Sequence, residues 1–345
     1  YQTVGPRVEH KVVAYGEIET IKDLPQGFAS EQEKGRYRLV KNEGDQYFDA
    51  LPGSQNWKKY LYPPRKDLFF LEKTNRHWEK SSAPPTEERH ALVGVRACEL
   101  AGIEILDKVF IRKDFTDPDY SRSRSNLFIV SVNCSHPDQT CFCSSMGTGP
   151  ECQGGYDLNL TELDEAFIVN IGSDAGLAVI QQVEWEPASA YHLQSAQKVV
   201  EGAKQSLKRG IKDLEDVPAL LLDHLEHPLW AEVGKRCLSC GSCTLVCPTC
   251  FCWDTNDHVY ITTKKTNRER VWDSCFNPGY SAQAGGNTRP STKSRYRQWL
   301  THKFGNWKDQ FGSLGCVGCG RCITWCPAGI DVTEEIGAFQ EEFVS

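Results

Sequence analysis

The pattern of apolar and polar positions becomes regular near residue 91 and predicts alternating strands and helices. The runs ALVGV at 91–95 and LFIVSVN at 127–133 are short and continuously apolar, which is typical of buried strands. Between them, ACELAGIEILDKVF at 97–110 spaces its apolar residues as one face of a helix. AFIVNIG at 166–172 and AGLAVIQQVEW at 175–185 predict two more strands. Strand–helix–strand order favours an α/β domain with a partly parallel sheet.

The segments on either side of this region are less regular. Residues 1–90 are rich in turn signals, and we predict irregular structure there. The stretch 189–214 predicts a long polar helix with an interruption near Gly210. We therefore predict an α/β domain over residues 1–229, followed by an α-helical, ferredoxin-like domain over residues 230–345.

Composition changes this picture through cysteine, which occurs 16 times. The sequence RCLSCGSCTLVCPTCFC at 236–252 and the sequence GCVGCGRCITWCP at 315–327 both contain the spacing C-x2-C-x2-C-x3-C-P. This spacing is typical of two-cluster ferredoxins, in which the fourth cysteine of each run binds the other cluster. We therefore predict two [4Fe–4S] clusters. Their ligands are Cys237, Cys240, Cys243 and Cys326 for cluster 1, and Cys316, Cys319, Cys322 and Cys247 for cluster 2.

Other uses of these cysteines fit the spacing less well. Zinc sites have separated Cys pairs or Cys/His mixtures, and disulfides require an oxidising compartment. Residues 248–315 form an insertion between the two runs that is longer than in a compact two-cluster ferredoxin. The insertion is rich in aromatic residues, so we expect it to pack over the clusters or against a partner.

A second group of cysteines lies in the predicted α/β domain. Cys98 and Cys134 each follow a predicted strand, and the carboxyl ends of parallel strands meet at one edge of a sheet. Cys141 and Cys143 lie on the loop that leaves the second strand. These four residues are candidates for a third [4Fe–4S] cluster. The alternative is that Cys98 is a small buried hydrophobe and the others are not ligands; Cys152 has no predicted role.

Several residues near the cysteine runs have no assigned role. Cys250, Cys252 and Cys275 are too few for a cubane cluster unless another residue, such as His258, joins them. They would otherwise shield the clusters or bind a further cofactor. We expect His136 to be a loop residue rather than a ligand or a proton relay.

Charge and motif content argue against several classes of function. Because the net charge is −7, we expect no binding of nucleic acid. The sequence contains no apolar run of 18 residues, so it predicts no membrane span. Sixteen cysteines without a signal-peptide pattern indicate a reducing, cytoplasmic compartment. There is no G-x-G-x-x-G motif and no P-loop, so we expect this chain to bind no flavin or nicotinamide. No catalytic residue is assigned.

Positive charge is densest in STKSRYRQWLTHKF at 291–304. A solvated helix face is the favoured interpretation of this stretch, ahead of phosphate binding. A further interpretation is that cations near a cluster favour its reduced, more negative state.

Several motifs taken together resemble one family. GVRACEL at 94–100, VNCSHPDQTCFCSSMGTGP from residue 132, the two cysteine runs, WDSCF and STKSRYRQWLTHKF are similar to the beta subunit of soluble [NiFe] sulfhydrogenases. They also resemble the related A-type polypeptide of anaerobic sulfite reductase. The resemblance extends from about residue 60 to the end of the chain.

The resemblance implies a non-catalytic electron-transfer subunit of a cytoplasmic, NAD(P)-linked hydrogenase complex. Its partners would be a gamma-type subunit that binds FAD and NAD(P) and the small and large hydrogenase subunits. The resemblance also strengthens the prediction of a third cluster. Two alternatives are the A-type electron-transfer polypeptide of an anaerobic sulfite or sulfur reductase, and a free-standing ferredoxin-like carrier or redox sensor. The aromatic insertion argues against a free-standing carrier, because exposed apolar surface usually marks a partner interface.

Overall fold

A computed structural model describes residues 1–75, 77–84, 88–260 and 262–343 of the chain. Within these residues the strands are β1 (Gln2–Glu9), β2 (Val12–Glu17), β3 (Phe28–Glu33), β4 (Arg36–Lys41), β5 (Arg65–Thr74), β6 (His77–Ser82), β7 (His90–Arg96), β8 (Leu127–Val132), β9 (Leu158–Glu162), β10 (Phe167–Ile171), β11 (Trp253–Tyr260), β12 (Lys265–Trp272), β13 (Ala282–Gln283) and β14 (Gly286–Asn287). The α-helices are α1 (Lys58–Leu61), α2 (Ala97–Phe110), α3 (Pro118–Ser125), α4 (Asp174–Ile180), α5 (Ala190–Ser206), α6 (Val217–Asp223), α7 (Leu229–Arg236), α8 (Ser242–Leu245), α9 (Thr292–Thr301), α10 (Trp307–Phe311), α11 (Arg321–Thr324) and α12 (Val332–Phe343). A 3-10 turn spans Ile21–Asp23, and a π-helical turn, His302–Asn306, joins α9 to α10.

A six-stranded mixed sheet forms the α/β part, with the strand order β10-β9-β8-β7-β1-β2. Neighbouring strands from β1 to β9 in this order are parallel, whereas the edge strands β2 and β10 are antiparallel. The register pairs Arg96 of β7 with Val132 of β8, so these two strands end at the same edge of the sheet. α2 packs its apolar face, which includes Leu100 and Leu106, into the core of this part.

A second sheet joins the N-terminal region to the insertion at 248–315. It is antiparallel, with the order β11-β12-β5-β6. β12 belongs to the insertion, and it pairs with β5 from Lys265 opposite Glu72 to Val271 opposite Arg65. The domain boundary between residues 229 and 230 stays a prediction, and this strand pairing crosses it.

Helices of the C-terminal third form a hydrophobic core beside the two cysteine runs. α6, α7, α9 and α12 supply large buried side chains, among them Trp230, Trp299 and Phe339. Phe142 joins this core from the loop after β8. Cysteines of both runs pack against the same core, so the aromatic residues of the insertion lie beside them.

Most of the predicted elements of the α/β part are confirmed. β7, β8 and β10 coincide with the three apolar runs that predict strands, and α2 spans Ala97–Phe110 as predicted. α5 occupies the first part of the stretch 189–214 and ends at Ser206. The pattern does not predict β9, a short strand that becomes the parallel neighbour of β8.

The prediction of a strand at 175–185 is wrong, because Asp174–Ile180 is helical. The Ser173 hydroxyl accepts a hydrogen bond from the N–H of Gly176 at 3.1 Å and caps the first turn. A short apolar run has no periodicity that separates a buried strand from a helix. The Ser-Asp capping signal before the run decides in favour of the helix.

The prediction of irregular structure over residues 1–90 is also wrong, because the described part of this range contains the six strands β1 to β6. β1 and β2 form a hairpin whose two turn residues, His10 and Lys11, both have positive φ angles of 48° and 66°. Such turns usually contain Asn-Gly or Asp-Gly, and this one has neither. The hairpin therefore lacks the signal by which a turn of this kind is recognised.

The chain as a whole is a mixed α/β protein. Among the residues that the structure describes, no helix has both the length and the apolar character needed to cross a membrane.

Candidate metal centres

Cavity 1 lies beside α8 and α9. Its wall contains the four cysteines predicted to hold cluster 1, which are Cys237, Cys240, Cys243 and Cys326. The rest of the wall is mainly apolar and aromatic, and none of the residues that line it is charged. Cys240 is exposed and its neighbour Leu238 is 66% exposed, so cavity 1 lies close to the protein surface.

Backbone geometry turns donors toward the sulfur atoms of cavity 1. Ser239 and Gly241 have positive φ angles of 51° and 75°, which curl the chain tightly between the cysteines. The N–H of Ser239 donates to Cys237 Sγ at 3.4 Å, and the N–H of Ile330 donates to Cys326 Sγ at 3.4 Å. Such hydrogen bonds stabilise negative charge on sulfur and tune the potential of a bound cluster.

Cavity 2 lies next to cavity 1. Its wall contains the four cysteines predicted to hold cluster 2, which are Cys247, Cys316, Cys319 and Cys322. The N–H of Gly318 donates to Cys316 Sγ at 3.4 Å. Gly320 has a φ of 71°, and a Cβ added there would lie 2.3 Å from the backbone oxygen of Thr140. Glycine is required at this position because a side chain would separate the loop that contains Gly320 from the loop that contains Thr140.

Cavity 3 lies at the carboxyl edge of β7 and β8. Its wall contains the four cysteines that are candidates for a third cluster, which are Cys98, Cys134, Cys141 and Cys143. Cys98 lies in the first turn of α2, and Cys134 follows the end of β8. The structure thus brings together all four candidates. Their role as ligands, like that of the cysteines in cavities 1 and 2, stays a prediction.

The three cavities form a continuous row. Cys322 and Trp299 line both cavity 1 and cavity 2, and Cys319 lines both cavity 2 and cavity 3. Cavity 2 therefore lies between the other two. Within the described ranges, no three His, Cys, Asp or Glu side chains converge closely enough to hold a single metal ion. The cysteines instead stand apart around each space.

Buried guanidinium groups line cavity 3. Arg96 Nη1 donates to Cys134 Sγ at 3.9 Å, and Arg321 Nη2 donates to Glu99 Oε1 at 2.6 Å. The Nε of Arg96 and the Nε and Nη1 of Arg321 have no hydrogen-bond partner among the residues that the structure describes. A buried donor without a partner is costly. These donors therefore fit an anionic group in cavity 3, such as a cluster held by thiolates.

Two buried lysines approach Cys247 of cavity 2. Lys303 Nζ lies 3.3 Å from Cys247 Sγ, and it also donates to Thr249 Oγ1 and to the Gly315 oxygen. Lys58 Nζ donates to the Cys247 oxygen at 3.0 Å. The two lysines are 5% and 4% exposed, and the described part of the chain gives neither a carboxylate partner. Buried ammonium groups need negative charge nearby, and the Cys247 thiolate supplies it here.

The pKa shifts separate Cys247 from four other cysteines that line the cavities. Burial raises the pKa of Cys98 and Cys322 well above the usual value, and raises that of Cys143 and Cys316 to about 12. These thiols must lose their protons when they bind metal. A hydrogen bond from the Cys250 thiol, together with Lys303, holds the pKa of Cys247 well below its usual range.

The unassigned residues lie outside the walls of the three cavities. His258 Nε2 pairs with Glu269 at 2.8 Å, and His136 Nδ1 pairs with Asp49 at 2.9 Å. Cys152 is buried in the α/β core, and its thiol donates to the Val132 oxygen at 3.7 Å. Cys250, Cys252 and Cys275 lie between cavities 1 and 2 and the β11–β12 hairpin.

The basic stretch 291–304 is only partly a solvated face. Arg297 pairs with Glu226 on the surface, as the favoured interpretation expects. Arg295 and Lys303 are buried, so that interpretation is wrong for these two residues. Sequence reasoning does not identify Lys303 as the cation that contacts a predicted ligand. The sequence feature that could have identified Lys303 is its position in the aromatic segment that packs over the cysteines.

Comparison with known proteins agrees with this geometry. Residues 236–330 match the model of the 4Fe-4S dicluster domain family, so the chain carries an iron–sulfur dicluster domain at its C-terminal end. The chain is 32% identical over 342 residues to sulfhydrogenase 2 subunit beta of Pyrococcus furiosus, and the match covers 93% of this chain and 97% of that protein. No solved structure matches this chain.

Proposed function

This chain belongs to the family of sulfhydrogenase beta subunits, and on that basis we propose that it transfers electrons inside a hydrogenase complex. An iron–sulfur electron-transfer role follows from the family and from the dicluster domain. The finer proposal is that the chain connects a subunit that binds FAD and NAD(P) to the small and large subunits of a [NiFe] hydrogenase. We further propose that the complex is cytoplasmic and that the chain itself holds no flavin, no nicotinamide and no catalytic residue.

The row of cavities is the observation that carries this proposal. Each of the three ligand sets predicted from spacing and strand position surrounds its own cavity, and adjacent cavities share a cysteine. A [4Fe–4S] cluster takes up and releases one electron at a time. Three such groups in a row would connect a two-electron flavin to a distant metal centre.

The residues around the row supply what electron transfer requires. Trp299, Phe304 and Phe142 exclude water from cavity 2. Lys303 places a positive charge beside Cys247, and Arg96 and Arg321 place theirs beside cavity 3. Excess electron density on sulfur is stabilised by such charges and hydrogen bonds.

Iron and acid-labile sulfide content of the anaerobically purified chain tests the proposal. We expect about 12 irons per chain, corresponding to three cubane clusters. The double substitution Cys141→Ser, Cys143→Ser should then remove about four irons and leave the EPR signals of the ferredoxin pair. Cys152→Ser is the matched control, because Cys152 is equally buried and lines none of the cavities. About eight irons in both the unaltered chain and the double variant would contradict the third cluster.

The partners are tested by gentle purification of the complex from its native cells. Nickel and hydrogen-dependent reduction of NAD(P) in the same complex would support the hydrogenase assignment. Sirohaem in place of nickel would support the alternative of a sulfite reductase complex. A monomeric chain with full iron content would support a free-standing carrier instead.

A further inference from the structure

Cys250, Cys252 and Cys275 divide into two separate groups in the structure. The Cys250 thiol is a hydrogen-bond donor to Cys247 Sγ, which raises the pKa of Cys250 well above the usual value for a thiol. Cys250 is therefore a supporting residue of cavity 2. Cys252 and Cys275 contact each other instead, and neither lines any of the three cavities.

Strand pairing places Cys252 and Cys275 at the same end of the β11–β12 hairpin. The last pair of the ladder is Trp253 opposite Trp272, and the N–H of Asp273 extends it by donating to the Cys252 oxygen at 2.9 Å. The chain then turns and brings Cys275 back toward Cys252. The two side chains pack against the same hydrophobic core and are therefore neighbours.

The surroundings of the pair favour a reactive thiolate. The hydrogen bond from Cys275, another from the Tyr280 hydroxyl and the charge of Lys303 lower the pKa of Cys252 to about 6. Lys303 is buried without a carboxylate partner among the described residues, so it has positive charge to contribute. Cys252 is only partly buried and can be reached from solvent, whereas Cys275 is buried. This asymmetry, with a thiolate at the partly buried Cys252 and a protonated thiol at the buried Cys275, suits thiol–disulfide exchange.

We propose that Cys252 and Cys275 form a dithiol–disulfide couple that exchanges with low-molecular-weight disulfides. The Cys252 thiolate attacks one sulfur of the small disulfide, forms a mixed disulfide and releases the first thiolate. Cys275 then loses its proton and attacks Cys252 Sγ, which closes the internal disulfide and releases a second thiol. One external S–S bond breaks and one internal S–S bond forms, so the two electrons pass from the protein pair to the small disulfide.

The couple lies against the loop of cavity 1. Ser274, which precedes Cys275, accepts a hydrogen bond from Thr244 Oγ1 at 2.7 Å, and Phe276, which follows it, lines cavity 1. Closing the disulfide would therefore shift residues that touch the segment carrying Cys243. This proposal does not depend on the clusters, because the exchange itself needs only the two thiols and the external disulfide.

Anaerobic equilibration of the purified full-length chain with mixtures of glutathione and glutathione disulfide tests the couple. After alkylation and proteolysis, we expect a Cys252–Cys275 cross-linked peptide that appears as the glutathione disulfide fraction rises. The oxidised chain should also consume about two more electrons in a reductive titration than Cys252→Ser or Cys275→Ser. Cys152→Ser is the control that should retain the cross-link.

Two results would overturn the proposal. The first is the absence of the cross-link across the whole glutathione series in a chain whose iron content is unchanged. The second is loss of iron from Cys252→Ser or Cys275→Ser but not from Cys152→Ser, because these residues would then be cluster ligands. Failure of the electron-transfer proposal would look different, since the unaltered chain would lack iron while the thiol mapping could still be carried out.

Discussion

Cavities 1 and 3 each have four predicted cluster ligands in their walls, but the chain builds them in different ways. Three cysteines of cavity 1 come from one short run, and none of the residues that line it is charged. The four predicted ligands of cavity 3 come from the segment after one strand, the first turn of a helix and a loop, and two arginines stand beside them. The comparison shows that the same set of side chains can be assembled by local spacing or by the packing of a sheet. Assembly by the packing of a sheet, as at cavity 3, also places buried charges beside the cysteines.

The largest expected effect concerns the buried charge at cavity 3. Arg321 and Glu99 form an ion pair at 2.6 Å, and their side chains are 6% and 1% exposed. Arg321→Met leaves Glu99 buried without its cation, so the free energy of unfolding should fall by about 3–5 kcal/mol. Anaerobic denaturant unfolding measures the change. Arg297→Met, which breaks the exposed pair with Glu226, should cost no more than about 1 kcal/mol. If both variants lose the same amount of unfolding free energy, the buried charge at cavity 3 contributes no more to stability than an exposed ion pair.

The next effect concerns the contact that joins cavity 3 to cavity 2. Gly320→Ala places a Cβ against the Thr140 oxygen at a positive φ, so we expect a loss of at least about 2 kcal/mol in unfolding free energy. Gly337→Ala in α12 is the matched control, because nothing lies within 4 Å of the added Cβ. The control should stabilise the chain by about 0.5–1 kcal/mol. The two substitutions are therefore expected to change the free energy of unfolding in opposite directions. If Gly320→Ala leaves it unchanged, the loops that contain Gly320 and Thr140 are not in close contact.

The third effect concerns the positive charge beside cavity 2, the middle cavity of the row. It tests whether this charge sets the midpoint potential of a cluster. Lys303→Met removes the ammonium group that contacts Cys247 Sγ, so the midpoint potential of one cluster should fall by roughly 60 mV, equivalent to about a tenfold change in its reduction equilibrium. Redox titration followed by EPR measures it. Lys308→Met removes an exposed lysine that pairs with Glu215 and should leave every potential unchanged. If Lys303→Met and Lys308→Met have the same midpoint potentials, the charge of Lys303 does not tune the potential of a cluster.

The smallest effect is a pH dependence at the loop of cavity 3. Burial raises the pKa of Asp138 to about 6, although Ser30 and Gln32 donate hydrogen bonds to it. The folded chain therefore keeps this proton up to about pH 6, whereas the unfolded chain loses it near pH 4. The contribution of Asp138 to stability is therefore greatest below about pH 4 and is lost progressively as the pH rises through about 6. Asp138→Asn should remove this slope in unfolding experiments, and an identical slope in both proteins would contradict the assignment.

The sequence by itself was enough to predict the grouping of the cysteines in the two runs. Ligand spacing within a run is a local property, and thiolates two residues apart on a tight loop can point at one cluster. The apolar runs at 91–95 and 127–133 likewise predicted two buried strands, and with them the edge at which Cys98 and Cys134 meet. These inferences depend on residues close together in the chain.

Only the tertiary structure decided the relations that cross long stretches of sequence. It placed cavity 2 between cavities 1 and 3 because Gly320 lets two distant loops touch. It brought Cys252 beside Cys275 because β11 and β12 pair into a hairpin, and it formed β1 and β2 around a turn that has no glycine or asparagine. Lys303 reached Cys247 through the π-helical turn after α9. Such contacts depend on packing between segments, and local periodicity and spacing carry no information about which segments will meet.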